Sequence, residues 1–206
     1  MEENIKDVLY WAKRIYEKGM SPGLSGNIST KTKEGILISA SGVCLNDMSE
    51  EDVILIDYDG NIKNGNKKPS SEKIMHSEIY TRRDDINAII HCHDPLITSF
   101  AVAGVEIKKP ILPDFALYYD KVPLIPYYCP SSINLAVKVG ECFEKNDVAL
   151  LRNHGIVIGD TSLKQAFYKL EMLRAYTETF FGAEVLGGAK AISKKGVTEI
   201  KDLYRK

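Results

Sequence analysis

The stretch Ile89-Ile90-His91-Cys92-His93-Asp94-Pro95 constrains the fold more than any other. Its opening residues are apolar and β-branched, as a buried strand requires. Pro95 ends that strand and suits the first turn of a helix, predicted over Leu96 to Ala103. Strand residues two apart share a face, so His91 and His93 project side by side while Cys92 faces away as a buried structural thiol. The chain must therefore build a sheet in which one buried strand ends in a pair of imidazoles. Imidazole nitrogen is the commonest protein donor to zinc and related divalent ions, so the pair can supply two of three or four ligands. Two other histidines exist, His76 and His154.

A chain of 206 residues with 44% apolar content suits one domain spanning residues 1–206. The net charge is -1, with acids and bases interspersed and no basic stripe. That argues against nucleic acid or an anionic membrane as a general partner. No apolar run approaches the roughly 20 residues that span a bilayer. Met1-Glu2-Glu3-Asn4 is acidic and lacks the apolar core of a signal peptide. Cys44, Cys92, Cys129 and Cys142 are scattered without a CxxC pair. Together these features predict reduced thiols and a cytoplasmic location.

Periodicity predicts a helix over residues 3–18, with Ile5, Val8, Leu9, Ala12, Ile15 and Tyr16 on one side and Gly19 as its stop. Trp11 reads as packing on that helix. A Gly- and Ser-rich loop follows over Ser21 to Ser29. Strands are expected at Gly35–Ala40 and Val53–Asp57, with turns at Ser41-Gly42 and Tyr58 to Asn61. Ser70-Ser71-Glu72 opens a helix running to about Arg82, and the histidine strand covers Asn87 to Cys92. Residues 105–130 hold Pro110, Pro113, Pro123, Pro126 and Pro130 and read as short strands and irregular connections. A helix at Ile133–Glu144 precedes strands at Val148–Leu151 and Ile156–Gly159. Ser162 and Gln165 form a capping-box pattern for a long helix reaching Phe180 and ended by Gly187-Gly188. The polar tail from Ala189 to Lys206 is loose or short-helical. Helices at both ends of a strand-rich middle predict an α/β/α layered fold around one sheet.

His154 is the candidate third ligand, because it sits where a buried strand meets a turn. Three histidines leave coordination positions open, which is the catalytic arrangement. The plainer alternative is that each imidazole is only hydrogen-bonded at a strand end. His76, inside its helix, reads as structural or as support for the site. Ser70 and Ser71 at a helix start, with the turns Gly26-Asn27 and Ser41-Gly42, can present donors to an anion. Taken singly, such caps usually do no more than cap. Glu72 has a dipole role in the first turn as its ordinary reading. Beside a metal it becomes a candidate base for a proton α to a carbonyl.

These residues, taken in order, carry a resemblance. Gly26-Asn27-Ile28-Ser29, Ser39-Ala40-Ser41-Gly42, Pro69-Ser70-Ser71-Glu72 with His76, Ile90-His91-Cys92-His93 and Asn153-His154-Gly155 resemble the class II aldolase/adducin-head family, closest to its L-fuculose-1-phosphate aldolase branch. The resemblance covers about residues 3–185. It implies a three-layer α/β/α fold with a central, mainly antiparallel sheet, in a homotetramer with active sites at subunit interfaces. It implies zinc, or another divalent transition metal, held by His91, His93 and His154. Glu72 is implied as acid/base and as an additional ligand, and Gly26, Asn27, Ser41, Gly42, Ser70 and Ser71 as the phosphate site. The implied reaction is reversible cleavage of a ketose 1-phosphate to dihydroxyacetone phosphate and a small aldehyde, through a zinc-stabilised enediolate.

The sequence departs from the family in two places. Leu24 stands where the aldolase branch tends to have a threonine, which removes one phosphate contact. The tyrosine that protonates the aldehyde oxygen has no clear counterpart, and Tyr118, Tyr119, Tyr127 and Tyr128 are the candidates. Epimerases of the family carry Asp at the position of Glu72. The family's methylthioribulose-1-phosphate dehydratases share three histidines and a Glu, and so remain an alternative. Adducin heads, which are non-catalytic assembly modules, do not keep the ligand set that is whole here.

Overall fold

The computed structural model describes residues 1–204; the last two residues of the predicted tail lie outside the described residues. Eight strands form one sheet: β1 (Asn27–Thr32), β2 (Gly35–Ser39), β3 (Val53–Ile56), β4 (Ile62–Asn64), β5 (Ala88–Cys92), β6 (Leu124–Ile125), β7 (Val148–Leu151) and β8 (Gly155–Asp160). Their order is β4-β3-β2-β1-β5-β8-β7-β6. Only β6 and β7 pair in parallel; the other pairings are antiparallel.

Helices cover both faces. On one lie α1 (Glu2–Glu17), α3 (Pro95–Ala103), α4 (Pro113–Tyr118) and α6 (Leu163–Val185). On the other lie α2 (Lys73–Arg82) and α5 (Ile133–Phe143). The expected three-layer α/β/α fold with a mainly antiparallel sheet is therefore present. Strand alternation divides the core. In β5, Ala88, Ile90 and Cys92 join the α1/α6 layer, while Ile89 joins the α2/α5 layer. The side chains of α6 that fill the first layer, Leu163, Phe167, Leu170 and Leu173, are fully buried. Each contributes about 1.5–3 kcal/mol of transfer free energy. No helix among the described residues is long and apolar enough to cross a membrane.

Three expectations need correction. The loop expected over Ser21 to Ser29 stops short, because Asn27, Ile28 and Ser29 begin β1, a central strand. Alternation hides this strand in the sequence, because its inward positions include Asn27 and Ser29, which are polar yet buried. The Pro-rich segment contains the short helix α4, with Pro113 in its first turn. Proline there costs no hydrogen bond, since that N–H has no helical partner. Glu72 precedes α2 rather than standing in its first turn. The tail takes the helical of its two expected forms: α7 (Lys194–Tyr204) lies against α4, and Lys201 pairs with Asp120.

Candidate active site

The β5 strand ends where the sequence implied. Asp94 caps α3, its Oδ1 accepting the N–H groups of Leu96 and Ile97 at 3.0 Å. Pro95 takes the first helical position. These two residues start α3 immediately after His93 and fix where the strand ends. β8 runs beside β5 in antiparallel register, with Ile156 opposite Cys92. The β7–β8 hairpin tip therefore returns to the same place. Asn153 takes the left-handed conformation, φ 55°, that such tight turns need, and His154 follows it. Gly155 is required by close approach: a Cβ would stand 2.4 Å from the Cys92 carbonyl oxygen.

Three imidazoles converge at this end of the sheet, with one ring nitrogen from each of His91, His93 and His154 within 4.8 Å of the others. The Nε2 atoms of His91 and His93 are 3.1 Å apart. Glu72 reaches in from ahead of α2, with Oε2 2.9 Å from His91 Nε2 and Oε1 3.7 Å from His154 Nε2. His91 Nδ1 lies 2.9 Å from the Ile156 carbonyl oxygen, which can only accept. That nitrogen therefore carries a proton, and Nε2 is the His91 atom turned towards His93 and Glu72.

Burial, then the neighbouring imidazoles, push His93 down to about 4, and burial pushes His154 to a similar value. Both are neutral at pH 7. Burial alone would raise the Glu72 carboxyl, but the His91 imidazole, electrostatically and as a hydrogen-bond partner 2.9 Å away, outweighs it and holds Glu72 well below the usual carboxylate range. Glu72 and the imidazole nitrogens thus gather candidate metal-donor atoms 2.9–3.7 Å apart in a buried site. Such a cluster is costly when buried unless positive charge sits at its centre. A divalent cation satisfies every member at once, so the donor set fits a three-histidine metal with Glu72 in reach.

The six residues of the anticipated anion loops share one cleft with these groups. Leu24, Ser25, Gly26, Asn27, Ala40, Ser41, Gly42, Ser70, Ser71, Glu72, Pro130, Ser131 and the three histidines enclose about 190 Å³. Asn27 pairs directly with His91 across β1 and β5. Side chains so paired stand on the same face about 4.5–5.5 Å apart at Cβ. Gly26, at φ 80°, precedes Asn27, and a Cβ there would fall 2.2 Å from Ser21 Oγ and 2.8 Å from the His91 carbonyl oxygen. Ser70 Oγ accepts the Glu72 N–H at 3.2 Å. A larger cavity of about 410 Å³ opens elsewhere, between Met1, Leu55 and Asn66, and holds none of these residues.

Sequence reading missed Ser131. It stands at φ 64°, unusual for a residue with a side chain, and its N–H lies 3.3 Å from Glu72 Oε1. The signal available was the run Cys129-Pro130-Ser131-Ser132 just before α5, where Ser132 accepts the Leu135 N–H as N-cap. The four tyrosines do not line the cleft. Tyr119 is buried and donates to the Lys169 carbonyl oxygen at 2.8 Å, Tyr118 and Tyr127 are exposed, and Tyr128 packs against the α2/α5 layer. Cys92 is fully buried, and burial pushes its thiol up to about 12, so it is unreactive at neutral pH.

A family model described as "Class II Aldolase and Adducin N-terminal domain" matches residues 6–181. An L-fuculose phosphate aldolase of Methanococcus maripaludis strain C5 is 32% identical over 184 residues, covering 89% of this chain and 99% of that protein. A 5-deoxy-D-ribulose 1-phosphate aldolase of Bacillus thuringiensis serovar kurstaki is 28% identical over 208 residues, covering 100% of this chain and 96% of that protein. Among solved structures, an L-fuculose 1-phosphate aldolase superposes with a TM-score of 0.92 at 26% identity, covering 100% of this chain and 98% of that one.

Proposed function

The chain belongs to the class II aldolase and adducin family, and we propose that it is a metal-dependent aldolase that reversibly cleaves a ketose 1-phosphate to dihydroxyacetone phosphate and a small aldehyde. The names of two relatives, an L-fuculose phosphate aldolase and a 5-deoxy-D-ribulose 1-phosphate aldolase, support this substrate class. The observation that carries the reading is the single cleft shared by Glu72, three histidines and the glycine- and serine-rich loops.

His91, His93 and His154 hold the metal, with Glu72 as a further ligand, and zinc suits three imidazoles with positions left open. When bound, the ion supplies an electrophile that stabilises negative charge developing on the substrate oxygens. The protein's own groups do the rest. Gly26, Asn27, Ser41, Gly42, Ser70 and Ser71 hold the phosphate through hydroxyl, amide and backbone donors. In the register of β1 and β5, Asn27 stands directly opposite His91, so the loops proposed for phosphate adjoin the histidines. Glu72 is ionised and acts as the base, while the Ser131 N–H steadies Oε1 and leaves Oε2 directed at the histidines.

In the synthetic direction Glu72 takes a proton from the hydroxymethyl carbon, and the freed electron pair forms a bond to the aldehyde carbon. In cleavage that bond breaks, the pair returns to the hydroxymethyl carbon, and Glu72 gives the proton back. The aldehyde oxygen is protonated from the open side of the cleft, completed by another copy in a homotetramer with interface active sites. That Tyr118, Tyr119, Tyr127 and Tyr128 do not line this chain's own cleft favours that arrangement.

Glu72→Ala tests the reading. General acid–base catalysis contributes about 10²–10⁴-fold, so release of dihydroxyacetone phosphate should fall by at least that much. Bound zinc, read by metal analysis, should remain. A fully active Glu72→Ala protein would refute the assignment, and loss of water in place of carbon–carbon cleavage would indicate a dehydratase.

A further inference from the structure

Beneath the anion loops lies a chain of hydrogen bonds that proton abstraction does not use. His76 is completely buried on α2. Its Nδ1 is 2.6 Å from Ser29 Oγ, and Ser29 Oγ is 2.8 Å from the Tyr80 hydroxyl. Its Nε2 is 2.6 Å from Asn27 Oδ1. The periodicities of helix and strand bring these four together. Tyr80 follows His76 by one helical turn, and Ser29 follows Asn27 by two strand residues, so each pair shares a face.

The donors and acceptors fit in one sense only. Burial drives His76 down to about 3, so the ring is neutral and has one N–H and one lone pair. An amide oxygen only accepts, so Nε2 carries the hydrogen. Nδ1 must then accept from the Ser29 hydroxyl. The Ser29 oxygen accepts in turn from the Tyr80 hydroxyl. At the end of the chain, Asn27 has its oxygen turned into the protein, and what it has left for the cleft are the two Nδ2 hydrogens. An unrestrained carboxamide can rotate by a half-turn and present oxygen instead, which repels a phosphate.

We propose that His76, backed by Ser29 and Tyr80, is a positioning residue that locks the Asn27 carboxamide with its N–H groups facing the cleft, so that this wall accepts a phosphate dianion. The proposal rests on the assignment of these loops to phosphate. It predicts that His76 influences affinity for the phosphoryl group through Asn27 alone, leaving the metal untouched.

Glutamine is the conservative replacement, since its amide oxygen and nitrogen supply one acceptor and one donor at a spacing close to that of the imidazole nitrogens. Leucine removes both. The experiment is calorimetric titration of the zinc-loaded protein with inorganic phosphate, on His76→Leu, His76→Gln, Asn27→Ala and the double variant N27A/H76L. His76→Leu should weaken phosphate binding about tenfold or more, as expected for a hydrogen bond to a charged group. His76→Gln should stay within about threefold of the parent. The double variant should bind no more weakly than Asn27→Ala, because coupled residues are not additive. Zinc stoichiometry should be unchanged throughout.

Parental phosphate affinity in His76→Leu would overturn the proposal, as would a full additional loss in the double variant. If His76→Leu does not fold, Ser29→Ala repeats the same cycle with a smaller excision. Failure of the phosphate assignment itself has a different signature: Asn27→Ala would bind phosphate as the parent does.

Discussion

Adding a single methyl group at Gly155 tests how strictly the hairpin tip holds the metal ligands. The Cβ of Gly155→Ala would lie 2.4 Å from the Cys92 carbonyl oxygen and 2.8 Å from His93 Cδ2. Carbon contacts relax near 3.5 Å, so about 1 Å must be found at the backbone and about 0.7 Å at the ring. The Cys92 carbonyl belongs to a strand anchored between β1 and β8 and yields little. Overpacking of this kind costs about 1–3 kcal/mol. At roughly 2–4 °C per kcal/mol for a chain of this size, the melting temperature should fall by about 2–12 °C. The His93 ring is the softer neighbour and should swing away from His91, lowering zinc affinity by about 10–100-fold, the range seen when a ligand loses its support. Chelator competition measures the second effect and thermal unfolding followed by circular dichroism the first. A Gly155→Ala protein that melts within about 1 °C of the parent and keeps its zinc affinity would refute the claim that contact at this hairpin sets the ligand geometry.

Gly182, in contrast, lies inside α6 with open space where a Cβ would stand, so Gly182→Ala should stabilise the chain by up to about 1 kcal/mol through helix propensity, read as a higher midpoint in urea. Stability should also depend on pH through His76. Its folded value, about 3, lies below the ordinary 6.5, so the unfolded chain binds the proton more tightly. Its contribution is complete above about pH 6.5 and is lost as pH falls towards 3, at up to about 1.4 kcal/mol per pH unit. Melting temperatures between about pH 7.5 and 5 should therefore decline towards acid, and less steeply in His76→Gln; equal slopes would show that His76 stays unprotonated in the unfolded chain too or is protonated in the folded one.

Much of the site was legible because its residues fall at chain punctuation. His91 and His93 end an apolar run, His154 stands at a hairpin tip, and Ser70-Ser71 precedes a helix, each marked by composition alone. β1 was hidden for a physical reason. Its inward positions, Asn27 and Ser29, are polar because they face the cleft and the His76 chain, so the alternation that announces a strand is missing where the site is built. Ser131 was invisible for a related reason. What it contributes is a backbone N–H in an uncommon conformation, and the Pro130-Ser131-Ser132 run marks a helix start without marking that conformation. The tyrosine candidates fell in a stretch whose prolines suppress periodicity, so no pattern separated an exposed ring from a buried one.

The register between β1 and β5 has a further consequence. Because Asn27 stands opposite His91, the span between the anion loops and the histidines is a property of the sheet, set by a lattice of backbone hydrogen bonds. Loops can drift without altering it. If the proposed assignment of these loops to phosphate holds, such a sheet would act as a ruler for one half of the substrate, admitting a phosphate ester at a fixed number of bonds from the carbon that loses its proton and rejecting esters one carbon longer or shorter. On the proposed reaction, the aldehyde could then diversify by changes in loops alone, while the phosphorylated half would stay the same length.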